Sequence, residues 1–389
     1  MKAVCLQENL TRMLSIANRA VAPRNATLPI LTHVLLATDN GHLRISATNL
    51  ELSISCQVSA KVEKEGAITV PARVFSELVA LLPADQINLE LDERTQTLHV
   101  HSVHSNTRLK GCDPQEFPSI ATTGNTTAAL LNSSALKKLI HQVSFAASTD
   151  EARPNITGVF TKVENQQITM VATDGYRLSL RKETLQSPSP LESPLEMVIP
   201  AHALNEVARV LSDQDKERPV TISITHPRMQ QVLFHTENVD VTIQLIDQKF
   251  PPYNTVIPQN WETRAVLNTA DFIKACRQAN IFARHSKDMV RITVKSPDHL
   301  TTGRVVVNAQ AAENGENITE LEAEVTGPDL EIGFNVRFLL EALAVIDTQQ
   351  VALEMIAPNK PAVLRAVGDE QFLYVIMPMQ LPSPSSSQR

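Results

Sequence analysis

The chain repeats itself at domain length, and that repeat limits the folds open to it. Pro29 in LPILTHV and Pro154 in RPNITGV stand 154 − 29 = 125 residues apart, and so do Ala47-Thr-Asn and Ala172-Thr-Asp, since 172 − 47 = 125. Two unlike motifs sharing one offset mark a duplication. A further echo runs through VPARVFSELVALLP from Val70, IPAHALNEVARVLS from Ile199 and, more faintly, FNVRFLLEALAVID from Phe334, with Glu77, Glu206 and Glu341 in the same place. Solenoid repeats run about 20 to 50 residues, so a period this long is a whole domain. Single cores stop growing at roughly 250 to 300 residues, which also favours several domains. The 389 residues divide into three units.

Each unit opens on an amphipathic helix. Leu10, Met13, Leu14, Ala17 and Val21 fall at helical spacing until Pro23 and Asn25 end the pattern. Counterparts start near Ser133, with Leu136, Leu139, Ile140 and Val143, and near Asp271, with Phe272, Cys276 and Ala279. Alternating β-branched stretches follow, such as HLRISATN, QQITMVATD and GRVVVNAQ, and read as half-buried strands. A second helix comes next, opened by Pro71 and Pro200 in the first two units, and more strands close each unit. Parallel sheets would need a crossover between every strand pair, so this order predicts an α+β fold of antiparallel sheets with helices on one face. Phe-Pro in CDPQEFPSI and in IDQKFPPYNTVIP marks the linkers, because proline holds its neighbour extended. The expected units are 1–126, 127–257 and 258–381, with 382–389 a disordered tail without an apolar anchor.

A formal charge of −7 argues against coating nucleic acid by bulk attraction and leaves only local basic faces for that purpose. The first helices carry such a bias: Arg12 and Arg19, then Lys137 and Lys138, then Lys274, Arg277 and Arg284, against only Glu8 and Asp271. Arranged around one space, they suit loose phosphate contact without base reading. Few aromatic residues accompany basic runs, which favours duplex over stacked single strands. Cys5, Cys56, Cys112 and Cys276 form no CxxC pair and suit a reducing cytoplasm. The apolar stretch Ala3 to Leu6 is too short for a signal peptide, and no apolar run reaches membrane-spanning length.

Catalytic signatures are mostly absent: the sequence has no GxxxxGK, GxGxxG or GxSxG. No catalytic residue, cofactor or metal is therefore expected. His99, His101 and His104 in LHVHSVHS are the nearest approach to a metal cluster, but no Asp or Glu stands near them in sequence to complete a ligand set. Tyr176, Tyr253 and Tyr374 lie in ATDGYRL, KFPPYNTV and LYVIMPMQL, segments whose apolar, Pro and Met content suits an adaptable peptide groove as well as a core. On residues alone, a metal enzyme using the histidines and a peptide-binding scaffold without DNA remain open alternatives.

TLPIL from Thr27, the Ala172-Thr-Asp-Gly-Tyr-Arg-Leu stretch, Phe250-Pro251 and the ending Tyr374-Val-Ile-Met-Pro-Met-Gln-Leu resemble the bacterial DNA polymerase III beta subunit family, the replicative sliding clamps. The resemblance runs from Met1 to Leu381. It implies three clamp domains per chain and a head-to-tail homodimer forming a ring, with helices lining the hole and sheets outside. Such a ring encircles double-stranded DNA without sequence preference and tethers the polymerase for processive synthesis, with no catalysis of its own. Partners implied are the polymerase III catalytic subunit, the clamp loader and other proteins bearing a short glutamine- and leucine-rich motif.

By that resemblance Arg24 and Arg73 match DNA-touching positions and join Lys137, Lys138, Lys274 and Arg277 as DNA-binding candidates. The implied peptide pocket comprises Ile156, Thr173, Gly175, Tyr176, Arg177, Leu178, Pro251, Val256, Asn335, Phe338, Pro361, Val375, Met377, Pro378 and Met379. Within it, Arg177 or Asn335 can hold the ligand's polar ends. Gln380 departs from a frequent basic residue beside that pocket. Thr107 and Leu109 on one side, with Ile281 and Phe282 on the other, are the ring-closure candidates.

Overall fold

The structure, a computed structural model, describes residues 1–39, 41–120, 125–191, 193–211, 217–225, 230–298, 302–311, 313 and 315–381. The tail expected from residue 382 lies outside them. Seven α-helices are described: α1 (Gln7–Ala17), α2 (Ala72–Leu81), α3 (Ser133–Val143), the single turn α4 (Pro154–Thr157), α5 (Ala201–Val210), α6 (Thr269–Ala283) and α7 (Val336–Ala344). The long ones pack in pairs, α1 on α2, α3 on α5 and α6 on α7, one pair per copy. The periodic residues explain why. Leu10, Met13, Leu14 and Ala17 are buried on α1, as are Leu136, Leu139, Ile140 and Val143 on α3 and Phe272, Cys276 and Ala279 on α6.

Polar contacts fix the first two pairs in the same way. Asn18 Nδ2 donates to Ser76 Oγ at 2.7 Å, and the Ser144 hydroxyl donates to Asn205 Oδ1 at 2.7 Å. Pro71 and Pro200 occupy the N-cap positions, just ahead of the first helical turn, where a missing N–H costs nothing. The third copy has Asn335 there instead, and its side chain accepts from the Arg337 N–H.

All strand pairings are antiparallel. The copies are joined through the sheets themselves. Val239–Gln244, the last strand of the second copy, pairs with Leu52–Ser59 of the first, making one eight-stranded sheet. Phe372–Ile376, the last strand of the third copy, pairs with Arg177–Thr184 of the second, making a nine-stranded sheet. Each seam therefore joins a closing strand to the strand that follows the Ala-Thr motif of the preceding copy. Two edges are left over by this rule. Ser105–Lys110 ends the five-stranded sheet of the first copy, and Gly315–Glu322 ends the four-stranded sheet of the third.

The first strand of the second copy, Asn125–Asn132, pairs with Pro219–Thr225 from Asn125↔Thr225 onward. No described helix is long and apolar enough to cross a membrane.

Candidate functional site

The nine-stranded sheet has apolar residues on both faces at the second seam, and this locates the site. Leu178 and Val375 face each other across the seam and, with Phe160, Val171, Leu180, Val198 and Val363, form a small cluster separate from the main cores. The linker between the second and third copies covers part of it. Phe250 and Tyr253 pack on Phe160 with ring centroids 5.5 and 5.6 Å away. The uncovered part is a cavity of about 340 Å³, lined by Arg153, Asn155, Ile156, Thr173, Gly175, Arg177, Leu178, Pro251, Pro252, Tyr253, Val256, Val375 and Met377. Half-exposed Met377 and Val256 give it an adaptable apolar rim.

Nine of the pocket residues anticipated from sequence meet at this cavity: Ile156, Thr173, Gly175, Arg177, Leu178, Pro251, Val256, Val375 and Met377. Tyr176, Asn335, Phe338, Pro361, Pro378 and Met379 are not in its wall. Tyr176 is exposed on the hairpin, Asn335 caps α7, and Phe338 lies beneath the Arg177 guanidinium, 4.4 Å from its ring centroid. Met379 donates its N–H to the Gly333 carbonyl at 2.8 Å. A Cβ at Gly333 would come 2.8 Å from the Met379 carbonyl oxygen, so this approach needs glycine. Arg153, Asn155, Pro252 and Tyr253 line the cavity in addition. The sequence signal for the last two was the Pro-Pro-Tyr run beside Phe250.

The hairpin before the seam shapes the cavity mouth. Asp174 Oδ1 accepts the N–H groups of Tyr176 and Arg177, and the Thr173 hydroxyl accepts from Gly175 N. This turn places Gly175 at φ +94°, a conformation natural to glycine. The first copy builds the same turn with Asn49 and Thr48, yet Leu50 stands at φ +80° where Gly175 stands in the second. The floor differs too. Register equates Leu178 with Ser53 and Val375 with Thr242, and the Met377 and Gln244 N–H groups donate to equivalent hairpin carbonyls, those of Tyr176 and Glu51. The first seam thus has serine, threonine and glutamine where the second has leucine, valine and methionine.

Arg177 is buried and joins the cavity wall to the third copy. Its Nε donates to Asp174 Oδ2 at 3.0 Å, Nη1 to Glu341 and Nη2 to the Phe145 carbonyl at 3.1 Å. Burial alone would lower its pKa, but the Tyr374 hydroxyl, Glu341 and Asp174 outweigh this and raise it, keeping the guanidinium charged. Each of its three nitrogens thus makes a contact inside the junction.

The basic candidates divide. Arg24, Lys274 and Arg277 are exposed and Lys137 is half-buried. Lys138 pairs with Asp347 at 2.9 Å and Asp369 at 3.6 Å, and Arg73 pairs with Glu77 at 2.6 Å. A broad groove between α3 and α5 brings Lys137, Lys138, His141 and Arg209 together. Of the ring-closure candidates, Leu109 packs into the core of its own copy and Phe282 partly packs into that of the third, while Thr107 is half-buried and Ile281 is 60% exposed. His99 and His101 stack on one strand face, and among the described residues no His, Cys, Asp or Glu trio can hold a metal ion.

Three like domains fused edge to edge, with a peptide-sized apolar cavity at one seam, define a modular clamp of the kind that holds other macromolecules. The comparisons narrow this. The DNA polymerase III beta subunit family matches in all three parts: its N-terminal domain at residues 1–121, central domain at 130–252 and C-terminal domain at 254–380. The beta sliding clamp of Synechococcus elongatus is 31% identical over 386 residues, covering 98% of this chain and all of that protein. That of Staphylococcus epidermidis is 30% identical over 373 residues, covering 93% of this chain and 94% of its own length. The crystal structure of the Bacillus subtilis sliding clamp superposes with a TM-score of 0.91 at 28% identity, covering 98% of this chain and all of that one. A Pseudomonas aeruginosa clamp bound to griselimycin gives 0.88 at 28% identity with the same coverage. The chain belongs to the DNA polymerase III beta subunit family and is a beta sliding clamp, a non-catalytic processivity factor whose partners are DNA and a polymerase.

Proposed function

We propose that two copies of this chain close head to tail into a ring around duplex DNA in the cytoplasm. The seam cavity then takes a glutamine- and leucine-bearing peptide from the polymerase III catalytic subunit, the clamp loader and other partners of that kind. The observation that carries the ring is the seam rule. Both seams within the chain join a closing strand to a strand after the Ala-Thr motif; Ser105–Lys110 is the closing strand of the first copy and Gly315–Glu322 follows the GRVVVNAQ strand of the third, and each stands at the edge of its sheet. Exposed edges are templates for pairing, and a twofold arrangement uses both. Their charges are complementary: Arg108 and Lys110 on one, Glu316, Glu320 and Glu322 on the other.

Ile281 supports the same reading. It stands two positions after buried Ala279, as Arg19 follows Ala17 and Phe145 follows Val143. Arg19 meets Glu206 across the first seam at 3.2 Å, and Phe145 stacks on Tyr374 across the second at 5.9 Å. In the ring Ile281 would meet the first copy of the other chain.

Arg24, Lys137, Lys274 and Arg277 are proposed to touch phosphates. Arg73 and Lys138, already engaged by carboxylates, contribute less. Loose contacts of this kind suit sliding, since affinity that grips each phosphate would oppose it. Retention on closed circular DNA with loss after linearisation tests the topology, together with the solution mass. Equal retention on both forms, or a strict monomer, would remove the ring.

A further inference from the structure

The glutamate repeated at Glu77, Glu206 and Glu341 does a different task in each copy. On α2, Glu77 pairs with Arg73 of its own helix. On α5, Glu206 holds Arg19 of the first copy and Arg209 of its own helix. On α7, Glu341 holds Arg177, a wall residue of the cavity, while lying outside the wall itself. We infer that Glu341 is a positioning residue for partner binding: it keeps the Arg177 guanidinium in the junction, so that the arginine presents only its apolar stem to the cavity. The inference rests on reading that cavity as the peptide site.

The geometry explains why one carboxylate matters. The Arg177 guanidinium is held by Asp174 on its own hairpin, by the Phe145 carbonyl and by Glu341, and lies over the Phe338 ring. Asp174 belongs to the same turn as Arg177 and moves with it, so it cannot decide which way the head group points. Phe145 offers a neutral oxygen and Phe338 a ring face. Among the described residues Glu341 supplies the one charged contact from the third copy, and charge-assisted contacts are the stronger ones. Without it the head group is free to turn toward Leu178, Val375 and Met377. A guanidinium there resists desolvation and competes with a leucine anchor for the same space. A residue on the helix layer thereby governs a pocket on the sheet layer.

The test measures fluorescence anisotropy of a short labelled peptide, a glutamine followed by leucines, with full-length wild-type protein and with Glu341→Gln, Glu341→Asp, Glu206→Gln and the double variant Glu341→Gln with Arg177→Met. Thermal melting and solution mass are recorded for each. Glu341→Gln is expected to weaken binding roughly tenfold, the scale of one lost charge-assisted hydrogen bond. Glu341→Asp keeps the carboxylate and should recover most of the affinity, and Glu206→Gln should bind as wild type does. The decisive arm is the double variant. Removing the charge while keeping an apolar stem should restore binding, which a general loss of stability would not allow. Wild-type affinity in Glu341→Gln, or a double variant as weak as the single one, would overturn the inference while leaving the pocket in place. Absence of peptide binding by the wild type would instead remove the pocket reading, and the inference with it.

Discussion

Arg181 Nη1 donates to Asp369 Oδ2 at 2.8 Å across the second seam, and both side chains are largely shielded from solvent. The same arginine donates to Gln142 Oε1 at 2.7 Å, and Gln142 Nε2 donates to the Val345 carbonyl at 2.7 Å. With Lys138 also drawn to Asp369, α3, the seam strand and the third copy share one polar network. Buried charges of this kind are weak evidence for net stability, yet removing one partner is costly.

That network has a definite pH dependence. Burial alone would raise the Asp369 pKa, but the Arg181 hydrogen bond and charge, the Gln371 N–H and Lys138 outweigh it and hold the carboxyl below its ordinary value of 3.8. A depressed folded-state pKa contributes stability that is present above the unfolded value and lost as pH falls through the folded one. Asp369→Asn should therefore cost about 3 kcal/mol at neutral pH. Urea titrations of both proteins from neutral pH into acid should show the gap closing below pH 3.8.

Met377→Ala should weaken peptide binding and leave the assembly intact. Met377 is 39% exposed on the cavity rim, so truncation forfeits part of one apolar anchor, about 1 kcal/mol or several-fold in affinity. Anisotropy and solution mass check the two halves. Unchanged affinity would take Met377 out of the site.

Leu50→Gly should stabilise the protein. A left-handed conformation costs a non-glycine residue about 1 to 2 kcal/mol, and glycine gives back part of that gain through its freer unfolded chain. A net increase of about 0.5 kcal/mol is expected in denaturant unfolding. A loss of stability would show that the exposed leucine side chain makes contacts that outweigh its backbone strain.

Ile281→Glu should leave each chain folded and halve the solution mass. The side chain is exposed in the single chain, so folding loses little, whereas a carboxylate buried at a subunit contact is costly. Unaltered mass with normal melting would place the contact elsewhere.

Much of this architecture was legible because it is periodic. Leu10, Met13, Leu14 and Ala17 announce α1 by spacing alone, and the shared offset of Pro29 and Ala47 from Pro154 and Ala172 equates two copies residue by residue. What periodicity does not encode is which strand pairs with which, so the continuous sheets across the seams became visible only in three dimensions. The same holds for Lys138, which reads as one more solvated cation until Asp347, 347 − 138 = 209 residues later, folds against it. Tyr253 and Pro252 join the cavity because aromatic stacking on Phe160 draws the linker down. Phe338 touches a wall residue, Arg177, from beneath, while Asn335 caps α7.

The polar floor of the first seam, with Ser53, Thr242 and Gln244 in place of Leu178, Val375 and Met377, has a consequence in stoichiometry. An apolar floor of this kind lies at one of the two seams in each chain, so the proposed two-chain ring would offer a pair of such sockets. On the ring and peptide site proposed above, two different client proteins would be loaded at once, and one would take over from the other while the ring stays closed.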